Sequence, residues 1–124
     1  MERQQILLVE DDADHRQIMS SLLEHVGYQV IEASDGESAI ELALQLRPAV
    51  TLMDVSLPRL DGWGATLRIK TEAPDLLVVI VTAHAFPADR VHAEAAGADR
   101  YITKPVDPRE LLRVVRECAS GGAT

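Results

Sequence analysis

The chain has 124 residues, of which 47 % are hydrophobic and 26 % are charged, the balance of one globular domain. Twenty acidic against twelve basic residues leave a formal net charge of −8, which argues against a nucleic-acid-binding surface. The longest apolar run, Leu76–Val81, is too short to span a bilayer, and the N-terminus has no signal-peptide pattern. The single cysteine, Cys118, cannot form an intrachain disulfide. We therefore expect one domain in a reduced, cytoplasmic setting, with a core of about residues 5–119 and a flexible tail over residues 120–124.

Short apolar runs and helical periodicity predict ten elements along the chain. In order they are a strand over Ile6–Val9, a helix from about Asp14 to Gly27, a strand over Gln29–Glu32, a helix between Asp35 and Pro48, a strand over Ala49–Met53, a helix from Gly62 to about Lys70, a strand over Leu76–Val81, a helix over Pro87–Ala96, a strand over Tyr101–Ile102, and a helix capped by Asp107. The last helix is predicted to bury Leu111, Leu112, Val115 and Cys118.

Strands that alternate with helices predict parallel strands, right-handed crossovers and helices on both faces of one sheet. The expected fold is therefore α/β, with a doubly wound five-stranded parallel sheet. In such sheets ligands bind beyond the carboxyl ends of the strands. The residues that directly follow each strand are thus the first candidates for function.

These positions are polar in four of the five predicted strands. Glu10, Asp11 and Asp12 follow the first strand, and Asp54, Thr82 and Lys104 follow or end the third, fourth and fifth. Carboxylates that converge on one area repel each other, and a hard divalent cation such as Mg²⁺ relieves this. Taken singly, each residue also has an ordinary interpretation as a helix cap, a turn residue or a solvated lysine. Their combination at one sheet edge favours a functional site.

Five segments in order resemble the receiver domains of two-component response regulators, and the resemblance covers the chain from Ile6 to about Ala119. They are Ile6-Leu-Leu-Val-Glu-Asp-Asp12, Leu52-Met-Asp-Val-Ser-Leu-Pro58 with Asp61-Gly62, Val81-Thr-Ala83, Ala96-Gly-Ala-Asp99 and Tyr101-Ile-Thr-Lys-Pro105. The resemblance implies a flavodoxin-like fold with strand order 2-1-3-4-5. It also implies transfer of a phosphoryl group to an aspartate from a histidine kinase or a histidine phosphotransfer protein.

By this match Asp54 is the phospho-acceptor, assisted by Thr82 and Lys104. Asp11 is a direct Mg²⁺ ligand and Glu10 acts through water, while Asp54 and the backbone carbonyl of Ser56 complete the set. Mn²⁺ is a possible substitute for Mg²⁺. Such a domain is a signalling receiver that catalyses its own phosphorylation and dephosphorylation. Asp12, one place beyond the acidic pair, is better interpreted as a helix cap.

Further positions take on roles only through the resemblance. Ser56 and His84 lie where the family tunes phosphoryl lifetime, although a loop histidine such as His84 is more often simply solvated. Pro105 is a candidate for a cis peptide bond. Thr82 and Tyr101 match the family's switch pair, and the alternative for Tyr101 is an aromatic packed at a sheet edge.

The output surface of the family is formed by the fourth helix, the fifth strand and the fifth helix. This surface predicts a downstream protein partner or a phosphorylation-dependent dimer, with no binding of nucleic acid or membrane by this domain. No output domain follows within the 124 residues, so the chain is expected to be a stand-alone regulator or the receiver of a longer protein.

Three other classes of protein fit less well. A flavin-binding electron carrier would have to place a phosphate against three acids, Glu10–Asp12, which repel it. A haloacid-dehalogenase-type phosphatase needs a second aspartate two residues after the first, where this chain has Ser56. An interaction module that has lost phosphorylation is the remaining alternative, and the retention of Asp54, Thr82 and Lys104 argues against it.

Overall fold

The computed structural model describes residues 3–55, 62–83 and 87–120, with the backbone alone described for residues 87–90. Within these residues strands and helices alternate as predicted. The strands are β1 (Gln5–Val9), β2 (Gln29–Ala33), β3 (Val50–Asp54), β4 (Val78–Thr82) and β5 (Arg100–Thr103). The helices are α1 (Ala13–His25), α2 (Gly36–Leu46), α3 (Gly62–Glu72), α4 (Pro87–Ala96) and α5 (Pro108–Ala119). The predicted tail beyond Ser120 lies outside the described residues.

The strands form one parallel sheet in the order β2-β1-β3-β4-β5, which confirms the predicted topology. The register pairs Asp54 of β3 with Val81 of β4, and Thr82 of β4 with Thr103 of β5. Because all strands run in the same direction, their carboxyl ends meet at one edge of the sheet. The residues predicted to carry function are concentrated at that edge.

Each face of the sheet has its own hydrophobic core. Helices α1 and α5 cover one face and contribute Met19, Leu23, Leu111, Val114, Val115 and Cys118. Helices α2, α3 and α4 cover the other face and contribute Ala39, Ile40, Ala43, Ala65, Ile69 and Ala93. Every residue of β3 and β4 is buried, as expected for central strands covered on both sides. Among the described residues, none of the helices has the length and apolar character needed to cross a bilayer.

Aspartates cap the N-termini of three helices. The Asp12 carboxylate accepts hydrogen bonds from the backbone N–H groups of Asp14 and His15, so its interpretation as a cap of α1 is confirmed. Asp35 and Asp107 cap α2 and α5 in the same way. Gly97, with a positive φ, follows α4, as is common at the end of a helix.

At the amino-terminal edge of the sheet, Lys70 ties the end of α3 to the start of β4. Its ammonium donates hydrogen bonds to the carbonyl oxygens of Pro74 (2.9 Å) and Leu76 (2.7 Å) and to the Asp99 carboxylate (3.0 Å). The same carboxylate oxygen accepts the Val78 N–H at 2.8 Å, and the Asp99 N–H donates to the Val78 carbonyl at 2.8 Å. Three elements, α3, β4 and β5, are thus joined through two side chains.

Several predicted strand ends differ from the structure by one residue, and two further details are wrong. The fourth strand begins at Val78 rather than at Leu76, because the Leu76 N–H donates to the carbonyl of Ala73 in a turn that follows α3. In α5, Leu112 is only partly buried, and Val114 is buried beside Leu111 and Val115. The apolar periodicity of a helix locates its buried stripe only to within one residue at the margins.

Candidate functional site

Four strand ends place polar side chains together at the carboxyl edge of the sheet. Glu10 follows β1, Asp54 ends β3, Thr82 ends β4 and Lys104 follows β5. Glu10, Asp54 and Thr82 are buried, with 2 %, 3 % and 1 % of their surfaces exposed. A buried polar group at a strand end needs a specific partner or a ligand, so this edge is the candidate site.

Three carboxylates form the acidic part of the site. One oxygen each of Glu10, Asp11 and Asp54 lies within 4.8 Å of the other two, and Asp11 is the exposed member. Carboxylate oxygens are the ligands that Mg²⁺ prefers, and it commonly uses one or two of them together with water. The donor atoms present therefore fit a divalent cation of this kind.

Lys104 supplies the positive charge. Its Nζ lies 3.1 Å from Asp54 Oδ2 and 3.2 Å from Glu10 Oε1, and its side chain is 19 % exposed. The Lys104 N–H donates to the carbonyl of Thr82 at 2.6 Å, which joins β5 to the end of β4. The Lys104–Pro105 peptide bond is cis.

The electrostatics of the site follow from this crowding. Burial raises the pKa of Glu10 from 4.5 to about 7, with further increases from its hydrogen bond to Asp54 and from the Asp54 charge, against a smaller lowering by Lys104. Burial by itself would lower the pKa of Lys104, but the hydrogen bond to Asp54 and the charges of Asp54 and Glu10 outweigh it and raise that pKa. The site thus holds an excess of acid against one ammonium group.

Thr82 and Tyr101 lie on neighbouring strands but not directly opposite each other. Tyr101 pairs with Ile80 in the ladder, whereas Thr82 pairs with Thr103, so Tyr101 sits two residues before the level of Thr82. The Tyr101 ring is half-buried and packs against the core beneath α2, α3 and α4. The two side chains share one face of the sheet, because positions two apart along a strand point the same way.

Two predicted site residues, Ser56 and His84, lie outside the described residues. The structure also gives a contact with the site to two residues: Gly62, which the sequence indicated only as a helix start and as part of a family segment, and Arg16, which it did not single out. Gly62, at the first position of α3, packs directly against the backbone of Asp54. Arg16, in α1, donates a hydrogen bond to the Glu10 carbonyl. The sequence signal for Arg16 is proximity to a helix start, and for Gly62 it is the Asp61-Gly62 segment of the resemblance; neither indicates a contact with the site.

A groove opens beside Lys104 on the α1 side of the site. It encloses about 210 Å³ and is lined by His15, Ile18, Met19, Pro105 and Val106 together with Glu10 and Lys104. Ile18 is 58 % exposed although it continues the apolar stripe of α1. The site is therefore bordered by an apolar surface that solvent reaches.

Residues 6–116 match the protein family described as the response regulator receiver domain, and the chain belongs to this family. It is a receiver domain of two-component signalling, as the five sequence segments predicted.

Among its relatives, protein PilH of Pseudomonas aeruginosa is 36 % identical over 94 % of this chain and 98 % of its own length. A probable transcriptional regulator, ycf27, of Guillardia theta is 38 % identical over 92 % of this chain but only 44 % of its own length. The chain thus spans less than half the length of that regulator.

The receiver domain of the sensor histidine kinase PA1611 of Pseudomonas aeruginosa superposes with a TM-score of 0.89 at 33 % identity. The superposition covers 97 % of this chain and 100 % of that one. That structure holds a magnesium ion coordinated in its active-site cleft.

Proposed function

We propose that Asp54 accepts a phosphoryl group from a phosphohistidine of a histidine kinase or a histidine phosphotransfer protein. The observation that carries this proposal is the position of the buried Asp54 carboxylate, 3.1 Å from the Lys104 ammonium and grouped with Glu10 and Asp11. An aspartate paired only for stability would not need two further carboxylates beside it. Membership of the receiver family supports the same role.

In the proposed reaction an oxygen of the ionised Asp54 attacks phosphorus, and the P–N bond of the phosphohistidine breaks with its electron pair left on the imidazole. Such transfers depend on charge neutralisation at the phosphoryl oxygens more than on covalent assistance. A bound Mg²⁺ or Mn²⁺ supplies part of that neutralisation. The Lys104 ammonium supplies a second contact, and the Thr82 hydroxyl at the neighbouring strand end supplies a third.

Glu10 and Asp11 would hold the cation together with Asp54. Asp11 is the exposed acid of the group and is proposed as a direct ligand, while the buried Glu10, already bound to Lys104, acts through water. The backbone carbonyl of Ser56 is proposed as a further ligand. Ser56 and His84 are proposed to set how fast water removes the phosphoryl group, so that the domain also catalyses its own dephosphorylation.

The groove beside Lys104 is proposed to receive the phosphodonor. It adjoins the Lys104–Asp54 pair, and the exposed side chain of Ile18 gives it an apolar wall. A helix that carries a phosphohistidine can bury an apolar side chain there while its imidazole faces Asp54. Small phosphodonors do not need this contact.

The surface formed by α4, β5 and α5 is proposed to transmit the phosphorylation signal to a partner or a second copy of the chain. On it, the Glu117 carboxylate pairs with Arg100 (3.0 Å) and Arg113 (3.6 Å). Phosphorylation would draw Thr82 toward the phosphoryl oxygens and alter the packing of Tyr101, and this would favour a protein partner or a dimer.

The chain is proposed to be one receiver domain with a core of about residues 5–119. Its formal net charge of −8 gives no support for contact with nucleic acid.

The test is incubation with Mg²⁺ and acetyl phosphate, followed by intact mass measurement. We expect the wild-type protein to gain one phosphoryl group and the Asp54→Asn variant to gain none. A wild-type protein that gains nothing would instead indicate an interaction module without phosphorylation. A phosphoryl group that persists in Asp54→Asn would place the acceptor elsewhere.

A further inference from the structure

The side chain of Arg16 connects three elements next to the acidic group. From α1 its Nη1 donates to the carbonyl oxygen of Glu10 at 2.7 Å, and its Nε donates to Glu32 Oε1 on β2 at 2.9 Å. The Arg16 side chain is 22 % exposed, and its bond to the Glu10 carbonyl is partly buried, whereas its bond to Glu32 is exposed. Charge-assisted bonds of this length are among the stronger hydrogen bonds in proteins.

Glu32 is itself held in place. Its second oxygen accepts a hydrogen bond from the hydroxyl of Ser20, a buried residue one helical turn beyond Arg16, at 3.2 Å. The Glu32 carboxylate therefore binds two donors from α1. It fixes the direction of the Arg16 guanidinium and also offsets its charge.

The fixed Arg16 side chain restrains the backbone of Glu10. Its N–H donates to the carbonyl of Ala33 on β2 at 3.1 Å, and its carbonyl accepts from Arg16. A peptide unit is planar, so fixing the Glu10 carbonyl also fixes the orientation of the Asp11 N–H and the position of the Asp11 Cα. Glu10 and Asp11 thus follow β1 on a backbone whose Glu10 N–H and Glu10 carbonyl are both hydrogen-bonded.

We propose that Arg16 is a positioning residue, which holds the Glu10–Asp11 backbone in the geometry that a divalent cation requires. The inference rests on the proposed function, because it assumes that these acids bind the cation. Arg16 reaches no carboxylate of the acidic group in the contacts described above, and its charge is balanced by Glu32. Its effect is therefore geometric and acts through Glu10.

Lysine cannot replace this arrangement. The guanidinium presents Nη1 and Nε in one rigid plane, which lets it bind a carbonyl and a carboxylate in fixed relative directions. A lysine ammonium carries the same charge on a flexible chain with a single nitrogen. Arg16→Lys consequently separates a geometric role from an electrostatic one.

The experiment measures Mg²⁺ affinity by titration of the metal-free protein, with Trp63 fluorescence and the Asp11 amide signal in NMR as readouts. Substitution of residues that orient metal ligands commonly weakens affinity about 10-fold or more. We expect a loss of about 10-fold in Arg16→Gln and a similar loss in Arg16→Lys. Glu32→Ala, at a residue about half exposed, should fold normally and shift affinity in the same direction.

Arg68→Gln is the matched control, because Arg68 forms an exposed pair with Glu72 at 3.6 Å on α3, away from the acids. It should leave Mg²⁺ affinity unchanged. Phosphorylation of Arg16→Gln by acetyl phosphate should recover to near the wild-type rate at saturating Mg²⁺, which a general loss of folding would not allow. Denaturant midpoints measured alongside distinguish a loss of Mg²⁺ affinity from a loss of folding stability.

Wild-type affinity in both Arg16→Gln and Glu32→Ala would overturn the inference while leaving the proposed function in place. Full affinity in Arg16→Lys would overturn it as well, since charge alone would then suffice. A wild-type protein that binds no Mg²⁺ would instead overturn the proposed function, and the inference with it.

Discussion

Gly62 lies directly behind Asp54: a Cβ at position 62 would stand 2.4 Å from the Asp54 carbonyl oxygen and 2.5 Å from the Cα of Val55. No side chain fits in that space unless the backbone moves. The start of α3 therefore sets how far the end of β3 extends toward solvent. The position of the proposed phospho-acceptor depends on the absence of a methyl group.

Gly62→Ala should accordingly displace Asp54 and lower the rate of phosphorylation by acetyl phosphate about 10-fold or more, since small misplacements of reacting groups carry large costs in rate. The overlap should also cost about 1–3 kcal/mol of stability. Gly27→Ala is the control: Gly27 has φ +104° but open space around its Cβ, so the variant is strained far from the site. A phosphorylation rate equal to wild type in Gly62→Ala would contradict this account.

Asp11 and Asp12 are adjacent aspartates with different expected roles. Asp11→Ala should abolish the Mg²⁺-dependent change in Trp63 fluorescence at millimolar Mg²⁺, because the variant loses the exposed carboxylate of the acidic group. Asp12→Ala should lower the denaturant midpoint through loss of the α1 cap, yet retain Mg²⁺ binding. Unchanged binding in Asp11→Ala would remove it from the ligand set.

Glu10 makes the stability of the metal-free protein depend on pH. Its pKa is about 7 in the folded protein against 4.5 ordinarily, so between these values the folded state binds more protons than the unfolded state. Its contribution to the free energy of unfolding must then fall as pH rises from about 4.5 through 7, by on the order of 3 kcal/mol. Glu10→Gln, which cannot ionise, should be more stable than wild type at pH 8 in EDTA, as urea unfolding can establish. Equal stability of the two proteins at pH 8 would show that burial imposes no such penalty.

Thr82→Ala should separate phosphorylation from its conformational effect. The variant keeps Asp54 and Lys104, so we expect it to gain a phosphoryl group from acetyl phosphate. Without the hydroxyl, the phosphorylation-dependent NMR shifts at Tyr101 and Arg113 should shrink severalfold. Thr103→Ala, across the ladder from Thr82, is the matched control and should keep them. Shifts of wild-type size in Thr82→Ala would show that the coupling does not pass through this residue.

Ile18→Ser should weaken phosphoryl transfer from a protein donor but not from acetyl phosphate. Ile18 is exposed and borders the groove beside Lys104, so only a macromolecular donor can bury it. We expect a loss of about fivefold or more with a histidine kinase or phosphotransfer protein that phosphorylates the wild type. Leu67→Ser, at an exposed leucine of α3, should transfer normally. Transfer at the wild-type rate in Ile18→Ser would place the donor elsewhere.

The alternation of strands and helices, the sheet order and the grouping of polar strand ends were predictable from local pattern and from the resemblance. Strand ends in a parallel sheet converge whatever the details of packing, so Glu10, Asp54, Thr82 and Lys104 could be placed together without coordinates. Contacts that depend on how a helix is rotated and tilted against the sheet could not be predicted from the sequence. Arg16 and Gly62 act through such contacts, one by its reach to β2 and the other by its closeness to Asp54.

In the same way, the sequence places Ile18 one helical turn before Leu22 on α1 but could not show that it borders a groove. The roles of Ser56 and His84 stay predictions, because they lie outside the described residues.

The Lys70–Asp99 connection would limit where the proposed output surface can move. It joins the end of α3, the start of β4 and the turn before β5 at the edge of the sheet opposite Asp54. We expect any displacement of β5 on phosphorylation to decrease from Thr103, near the site, to Arg100, next to the Lys70–Asp99 connection. A partner that distinguishes the two states would then gain most by contacting the carboxyl end of β5. The Arg100 end of β5 would present the same surface in the unphosphorylated and the phosphorylated state.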